Sequence, residues 1–382
     1  MKIISLKDLL IRYLQLDIYI IYIMKKITFL LLAAAMLASC STTNTSHADK
    51  SISSSKKEYK AHTVAFYNVE NLFDLEDDPN TVFHDRTPRG EKFYTEEVYK
   101  LKQKNLAKVI ADIGSDFTGT TPTIVGLAEI ENYNVLNDLV NQDALKDSEY
   151  SIVHYDSPDL RGIDVGLLYK KNAFTVTNSV SHRLKIFDAR DSSRKLHTRD
   201  QLVVSGLLDG EKIHFIVHHW PSRSGGEARS LPNRIKAGEM NRQIVDSLLS
   251  IDPNAKIINM GDFNDDPVSP SVKEGLVTKE SKDNLGESDM YNPMEAMFNR
   301  GVGSLAWRDS WNLFDQIMVS KNLVDKDYSS IRFYQAGVFN KPYLATPQGR
   351  FKGYPYRSYS NEGWTGGYSD HFPVYIYLIK EK

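Results

Sequence analysis

Four times along the chain an apolar run stops at a carboxylate, an amide or a histidine, and this restricts the fold more than any other feature. Residues 62–67 end at Asn68 and Glu70, and residues 123–128 at Glu129 and Glu131. Residues 212–218 end at His218 and His219, and residues 255–260 at Gly261-Asp262-Phe263-Asn264. Short runs rich in β-branched and aromatic residues read as strands. Between them lie segments with helical spacing of apolar residues: 96–113, 135–145 and 233–249. Further strands are expected at 164–169, 201–208, 314–319 and 372–378, with Asp209-Gly210 turning a hairpin. Strands alternating with helices imply an α/β domain, and such folds gather ligands where strand ends converge. The 382 residues would allow two domains. With no internal repeat and no interior linker, residues 61–382 are expected to form one domain around a mixed sheet.

The formal net charge of −2 argues against gripping a long duplex through bulk positive charge, so any nucleic-acid contact must rest on local patches. The single cysteine, Cys40, leaves no internal disulfide. It closes a recognisable address: Met24-Lys25-Lys26, an apolar run at 27–37, then Leu37-Ala38-Ser39-Cys40. The run is shorter than the roughly 20 residues a membrane span needs and fits a signal peptide. Leu-Ala-Ser-Cys resembles a bacterial lipobox, whose cysteine receives lipid. Residues 1–40 are therefore expected to be an over-called start, with Met24 the true one, plus a lipoprotein signal peptide. Residues 41–60 are polar and aperiodic, a flexible tether. The expected location is the bacterial cell envelope, outer membrane included, with the membrane held through the lipid on Cys40 alone. Both a surface-displayed and a periplasm-facing orientation remain open.

In an extended segment, residues two apart face the same way. Asp262 and Asn264 would then enter a cleft together while Phe263 enters the core. A carboxylate can take a water's proton, and a neutral amide can hold a phosphoryl oxygen without repelling that base. Taken alone, the same residues also read as an Asp/Asn turn. Ser369-Asp370-His371 precedes the last strand and offers an imidazole that titrates near neutral pH. His218 and His219, adjacent on a strand, face opposite sides, and no cysteine in the domain could join them, which disfavours zinc. Glu129 ends a buried strand, a place for the lone carboxylate that typically holds Mg²⁺ with phosphate and waters.

Asn68 with Glu70, Glu129, His219, Asp262-x-Asn264, Asp315 and Asp370-His371 resemble, in order and rough spacing, the endonuclease/exonuclease/phosphatase superfamily over about residues 63–373. The resemblance implies a DNase I-like four-layer α/β sandwich, two mixed β-sheets packed face to face with helices outside. It also implies roles. Glu129 binds Mg²⁺, for which Mn²⁺ is a possible substitute, with Asn68 and Glu70 supporting; Asp370 serves a second metal position. Asp262 activates the attacking water and Asn264 holds the scissile phosphate. His371 contacts phosphate oxygens and Asp315 fixes its tautomer. His219 lies near the leaving group, with Asp164 its partner. The segments from Arg161 to Tyr169 and His219-Trp220-Pro221-Ser222-Arg223 resemble a secreted bacterial branch and contribute Arg161 and Arg223 as substrate-binding residues.

Two segments bear on substrate. Residues 182–199 carry Arg183, Lys185, Arg190, Arg194, Lys195 and Arg199, which reads equally as a phosphate-tracking strip or a solvated hairpin. The aromatic-rich residues 328–364 are expected to pack onto the domain rather than stack bases. The leading expectation is a metal-dependent phosphodiester hydrolase, a monomeric nuclease or nucleotide phosphodiesterase acting on nucleic acid or nucleotides. The alternatives are a phospholipid, sphingomyelin or inositol-phosphate phosphodiesterase, and a catalytically inactive binding lipoprotein.

Overall fold

The apolar runs pair into two sheets. The computed structural model describes residues 57–188, 190–283 and 285–382, so the signal peptide, Cys40 and most of the tether lie outside the described residues. The first sheet contains β1 (Tyr59–Leu72), β2 (Ile124–Ile130), β3 (Tyr150–His154), β4 (Asp164–Lys170), β12 (Arg332–Val338) and β13 (Val374–Glu381), in the order β12-β13-β1-β2-β4-β3. The second contains β5 (Phe174–His182), β6 (Gln201–Leu208), β7 (Glu211–His219), β8 (Lys256–Asp262), β9 (Thr278–Lys279), β10 (Met290–Tyr291) and β11 (Asp315–Ser320), in the order β9-β10-β11-β8-β7-β6-β5. Both sheets are mixed: β1 and β2 run parallel, as do β7 and β8, while β1 and β13, and β8 and β11, run antiparallel.

Three apolar layers hold the sheets and helices together. Val64, Phe66, Ile124, Ala128 and Leu167 of the first sheet meet Val204, Phe215, Val217, Ile258, Met260 and Ile317 of the second in one buried cluster. Ala65, Tyr67, Val125 and Leu127 point the other way. They meet Leu106, Val109 and Ile110 of α1 (Glu96–Asp112), and Val135, Leu136 and Leu139 of α2 (Tyr133–Val140). On the far face of the second sheet, Ile216, Ile257 and Met318 pack against Ala237, Ile244 and Val245 of α3 (Glu227–Ile251). The period-two alternation of the central strands is thus used on both faces, and the result is the expected four-layer sandwich of the DNase I-like kind.

Element ends depart from expectation where side chains cap or continue the backbone. α2 starts at Tyr133 because Asn132 caps it, its Oδ1 accepting from Val135 N, and it stops at Val140 rather than 145. α3 starts at Glu227 and runs through Pro232, which hydrophobic periodicity alone would place before the helix. The edge strands β5 and β12 were not legible, since a register shift interrupts each, between Val176 and Asn178 and between Phe333 and Gln335. The basic stretch forms a hairpin of Ile186–Asp188 and Asp191–Leu196. The aromatic segment does pack inward: Tyr359 is buried, tilted against Tyr94 and edge-on to Trp364.

Candidate active site

Strand register sets the first part of the site. β8 pairs with β7 so that Asp262 lies opposite His219, and with β11 so that Asp262 lies opposite Asp315. Side chains opposite one another on neighbouring strands share a face, so three groups far apart in sequence stand in a row. His219 Nε2 lies 3.4 Å from Asp262 Oδ2 and 3.9 Å from Glu129 Oε1. His218, one residue away, points to the opposite face, bonds Asn259 Oδ1 at 3.0 Å and packs edge-on against Phe263. His371 then reaches in from the loop before β13 and puts Nδ1 2.6 Å from Asp315 Oδ2. Ser304 Oγ donates to the same oxygen at 2.5 Å. Ligand atoms of Asp262, Asp315 and His371 all lie within 4.8 Å of one another.

The second part comes from backbone irregularities in the first sheet. The β1–β2 ladder slips between Asn68 and Leu72, and the β2–β4 ladder between Ala128 and Ile130. Glu70 and Glu129 sit at these bulges with φ of +51° and +64°, and Asn264, just past β8, has φ +49°. Non-glycine residues rarely adopt this region, and bulges of this kind re-aim side chains at strand ends. Glu129 is held by Asn71 N–H, which donates to Oε2 at 2.9 Å. Its Oε1 faces Arg161 Nη1 at 3.6 Å. Asn68 bridges inward: Nδ2 donates to Asp262 Oδ2 at 3.0 Å, Oδ1 accepts from Glu70 N–H at 3.0 Å, and its carbonyl accepts from Ser369 Oγ at 2.6 Å. Phe263 is fully buried, as its place between Asp262 and Asn264 predicts. Asn264 N–H donates to Asp262 Oδ1 at 2.8 Å, and its Nδ2 to Trp220 O at 3.0 Å, so the turn geometry and the site geometry coexist.

Burial raises the Asp262 carboxyl to about 6, against the lowering effect of His371 and with a further push from Asp315. Burial by itself would lower His371, but Asp315, Asp262 and Asp370 outweigh it and hold the ring well above its ordinary value. Burial would raise Glu129; Arg161, His371 and Arg199 overcome it and keep that carboxylate low. His219 is pushed well below its ordinary value, by burial first and then by Arg199 and Arg161. The site at neutral pH therefore pairs an imidazolium, His371, with a neutral imidazole, His219.

Several expected roles need correction. Asp164 does not partner His219. Its Oδ2 accepts from His154 Nε2 at 3.0 Å and its Oδ1 from Ser157 N at 2.8 Å, because it begins β4 beside the end of β3. Arg223 is committed to structure rather than to an open cleft: Nη2 lies 3.0 Å from Asp265 Oδ1, Nη1 3.0 Å from Glu227 Oε2, and Nε donates to Asn264 O at 2.9 Å. Glu70 is 3% exposed, with Oε2 accepting from Ser358 N and Oγ and Oε1 facing Arg357 Nε, so its carboxylate is not turned to Glu129. Asp370 likewise meets Arg357. Arg161 stays at the site beside Glu129. The partners that sequence reading missed are His154, Ser304 and Arg357, whose residue types carry no motif of their own. Arg199 was visible only as part of a basic stretch. It is buried, donates to Trp220 O at 2.6 Å and pairs with Asp159 at 2.9 Å.

The donor set suits a hard divalent cation at Glu129. Its ligand atoms are oxygens, with no thiolate among the described residues, which favours Mg²⁺ or Mn²⁺ over softer metals. Glu129 has one oxygen fixed by Asn71 and the other turned to the cleft, the arrangement for a single protein carboxylate with the remaining positions left to substrate and water.

A lipid attachment site of prokaryotic membrane lipoproteins matches residues 24–41. No curated protein matches. Solved structures similar to this one include a humanized TDP2 of D. rerio, at 13% identity over 84% of this chain and 99% of that one, with a TM-score of 0.49. A mannosyl-6-phosphatase of Bacteroides thetaiotaomicron is 16% identical over 83% of this chain and 99% of that one, with a TM-score of 0.47. The human Nocturnin catalytic domain is 15% identical over 85% of this chain and 98% of that one, with a TM-score of 0.48. The model of the endonuclease/exonuclease/phosphatase family matches residues 63–380, nearly the whole described unit, and the chain belongs to that family.

Proposed function

We propose that the protein is a lipid-anchored, Mg²⁺-dependent phosphodiester hydrolase of the cell envelope, acting on nucleic acid or nucleotides. The observation that carries this reading is the Asp315–His371–Asp262 cluster. It sets a buried carboxylate with a pKa of about 6 beside an imidazolium braced at 2.6 Å by a second carboxylate. A general base works best with a pKa near the operating pH. Asp262 takes a proton from water as the water oxygen forms its bond to phosphorus. The bond from phosphorus to the leaving oxygen breaks, and that oxygen carries off the electron pair and takes a proton from solvent. His371 donates from Nε2 to a non-bridging oxygen, where negative charge grows, and Asp315 orients the ring by accepting from Nδ1–H. The Asn264 backbone N–H and the Asn68 side-chain amide fix Asp262, and as neutral donors they repel neither base nor phosphate. A cation held by Glu129 would offset charge on the phosphoryl oxygens, and Arg161 supports the same face.

The direct test is a substrate panel on the purified chain: plasmid DNA, RNA, a chromogenic phosphodiester, sphingomyelin and inositol phosphates, each with Mg²⁺, with Mn²⁺ and with excess chelator. Nucleic acid or the chromogenic ester should turn over best, and only with metal. Full turnover in chelator, or preference for sphingomyelin, contradicts the proposal.

A further inference from the structure

The family resemblance reserves Asp370 for a second metal position, with Glu70 near the first. The fold brings these two carboxylates together around a cation of the chain's own. Arg357 places Nε 3.3 Å from Glu70 Oε1 and Nη2 3.0 Å from Asp370 Oδ2. We propose that the Arg357 guanidinium holds the position between Glu70 and Asp370 that a second divalent ion would need, so that the enzyme works with one ion, at Glu129, and one built-in organic cation. This rests on the proposed function only for the first ion.

The position is built rather than incidental. Thr365 N–H donates to Ser358 O at 3.0 Å, and Thr365 Oγ1 donates to Arg357 O at 2.5 Å. Gly367 packs so tightly beneath that a Cβ there would meet Arg357 O at 2.3 Å. The next residue, Ser358, donates both N–H (2.5 Å) and Oγ (2.9 Å) to Glu70 Oε2. Behind it Lys102, fully buried in α1, donates Nζ to the Glu70 carbonyl and, at 2.8 Å, to Ser358 Oγ. Both carboxylates, Glu70 and Asp370, therefore already face a cation, Arg357, and Glu70 is held further by Ser358, which Lys102 supports from behind. Mg²⁺ demands oxygen contacts of about 2.0–2.1 Å in near-octahedral order. To enter here it would have to strip Arg357 of both partners and compete with Ser358 for Glu70. The planar guanidinium fork suits two carboxylates better than an ammonium would. Its contacts use Nε and Nη2, which leaves Nη1 for a phosphoryl oxygen.

The test counts ions. The full-length chain in detergent is titrated with Mn²⁺, and free Mn²⁺ is read by electron paramagnetic resonance. The wild-type chain should bind one ion, and Glu129→Gln should lose it. Arg357→Lys, which keeps a positive charge, should still bind one. Arg357→Gln, with a melting temperature showing that it folds, should bind two, because Glu70 and Asp370 lose their cation. Two ions in the wild-type chain, or one in Arg357→Gln, overturns the proposal. No ion in any of the chains overturns instead the metal-dependent reading on which the first site rests.

Discussion

Asp262→Asn should inactivate the protein and yet make it more stable at neutral pH. Asp262 is 2% exposed, and burial raises its carboxyl from the ordinary 3.8 to about 6. Between those values the unfolded chain releases this proton while the folded chain keeps it. Stability contributed by the neutral acid is therefore complete below about pH 4 and is lost as pH rises through about 6. At 1.36 kcal/mol per pH unit, holding the ionised form at pH 8 costs the fold about 3 kcal/mol. Asparagine removes that cost. It can still accept from Asn264 N–H, but its own NH₂ would face the Asn68 amide that now donates to Asp262 Oδ2. Leaving one such contact unmade costs about 1 kcal/mol, so the net gain is about 2 kcal/mol. Urea unfolding of both chains in chelator at pH 8 and pH 4 measures it: Asp262→Asn should lead at pH 8 and lose that lead at pH 4. Equal stability at pH 8, or a lead that persists unchanged at pH 4, would falsify the claim that burial sets the base's pKa. A gap that narrows when Mg²⁺ is added would place the ion close to Asp262.

His371→Ala should lower turnover by about 10²–10⁴, the range for a positioned acid–base group. Asp315→Asn should cost less, and the double variant should match His371→Ala, since residues acting as a unit are non-additive; additive losses with normal melting would separate the pair. The rate against pH should rise through about pH 6 as Asp262 ionises and hold until His371, whose pKa is raised, deprotonates on the alkaline side; a profile flat from about pH 5 to 8 refutes Asp262 as the base. Arg223→Ala should lower the melting temperature with little change in KM, and Arg161→Ala the reverse, because only Arg161 lies against Glu129; swapped phenotypes would restore Arg223 as a substrate contact. Cys40→Ser should move the protein from the membrane fraction to the soluble one, and a mature membrane-bound chain carrying an unmodified Cys40 counts against lipidation.

The sequence displayed the parts of the site that obey a period. Asp262 and His219 end apolar strands and Asp315 begins one, and strand register alone brings them abreast. Glu129 was visible for the same reason. What stayed hidden depends on broken periods and on long returns of the chain. No pattern announces that β1 and β2 bulge at Glu70 and Glu129, so the direction of Glu70 could not be read. Asp164 was assigned to His219 because both end or begin strands nearby in a resemblance, whereas the turn between β3 and β4 hands it to His154. Arg357 and Ser304 lie in irregular loops, where spacing carries no directional information. The edge strands β5 and β12 escaped because a bulge in each breaks the alternation that betrays a strand.

The order of strands has a consequence for when this protein can act. β13, the last strand, inserts between β1, the first, and β12, with Tyr59 opposite Glu381. His371 arrives only with that strand, while Asn68 and Glu129 come from the opening third of the chain. Contacts spanning nearly the whole sequence are slow to close, because chain entropy must be lost before they form. The pairing of His371 with Asp315 is thus assembled only by the longest-range closure in the first sheet, and a chain in which β13 has not docked on β1 has not brought His371 to Asp262.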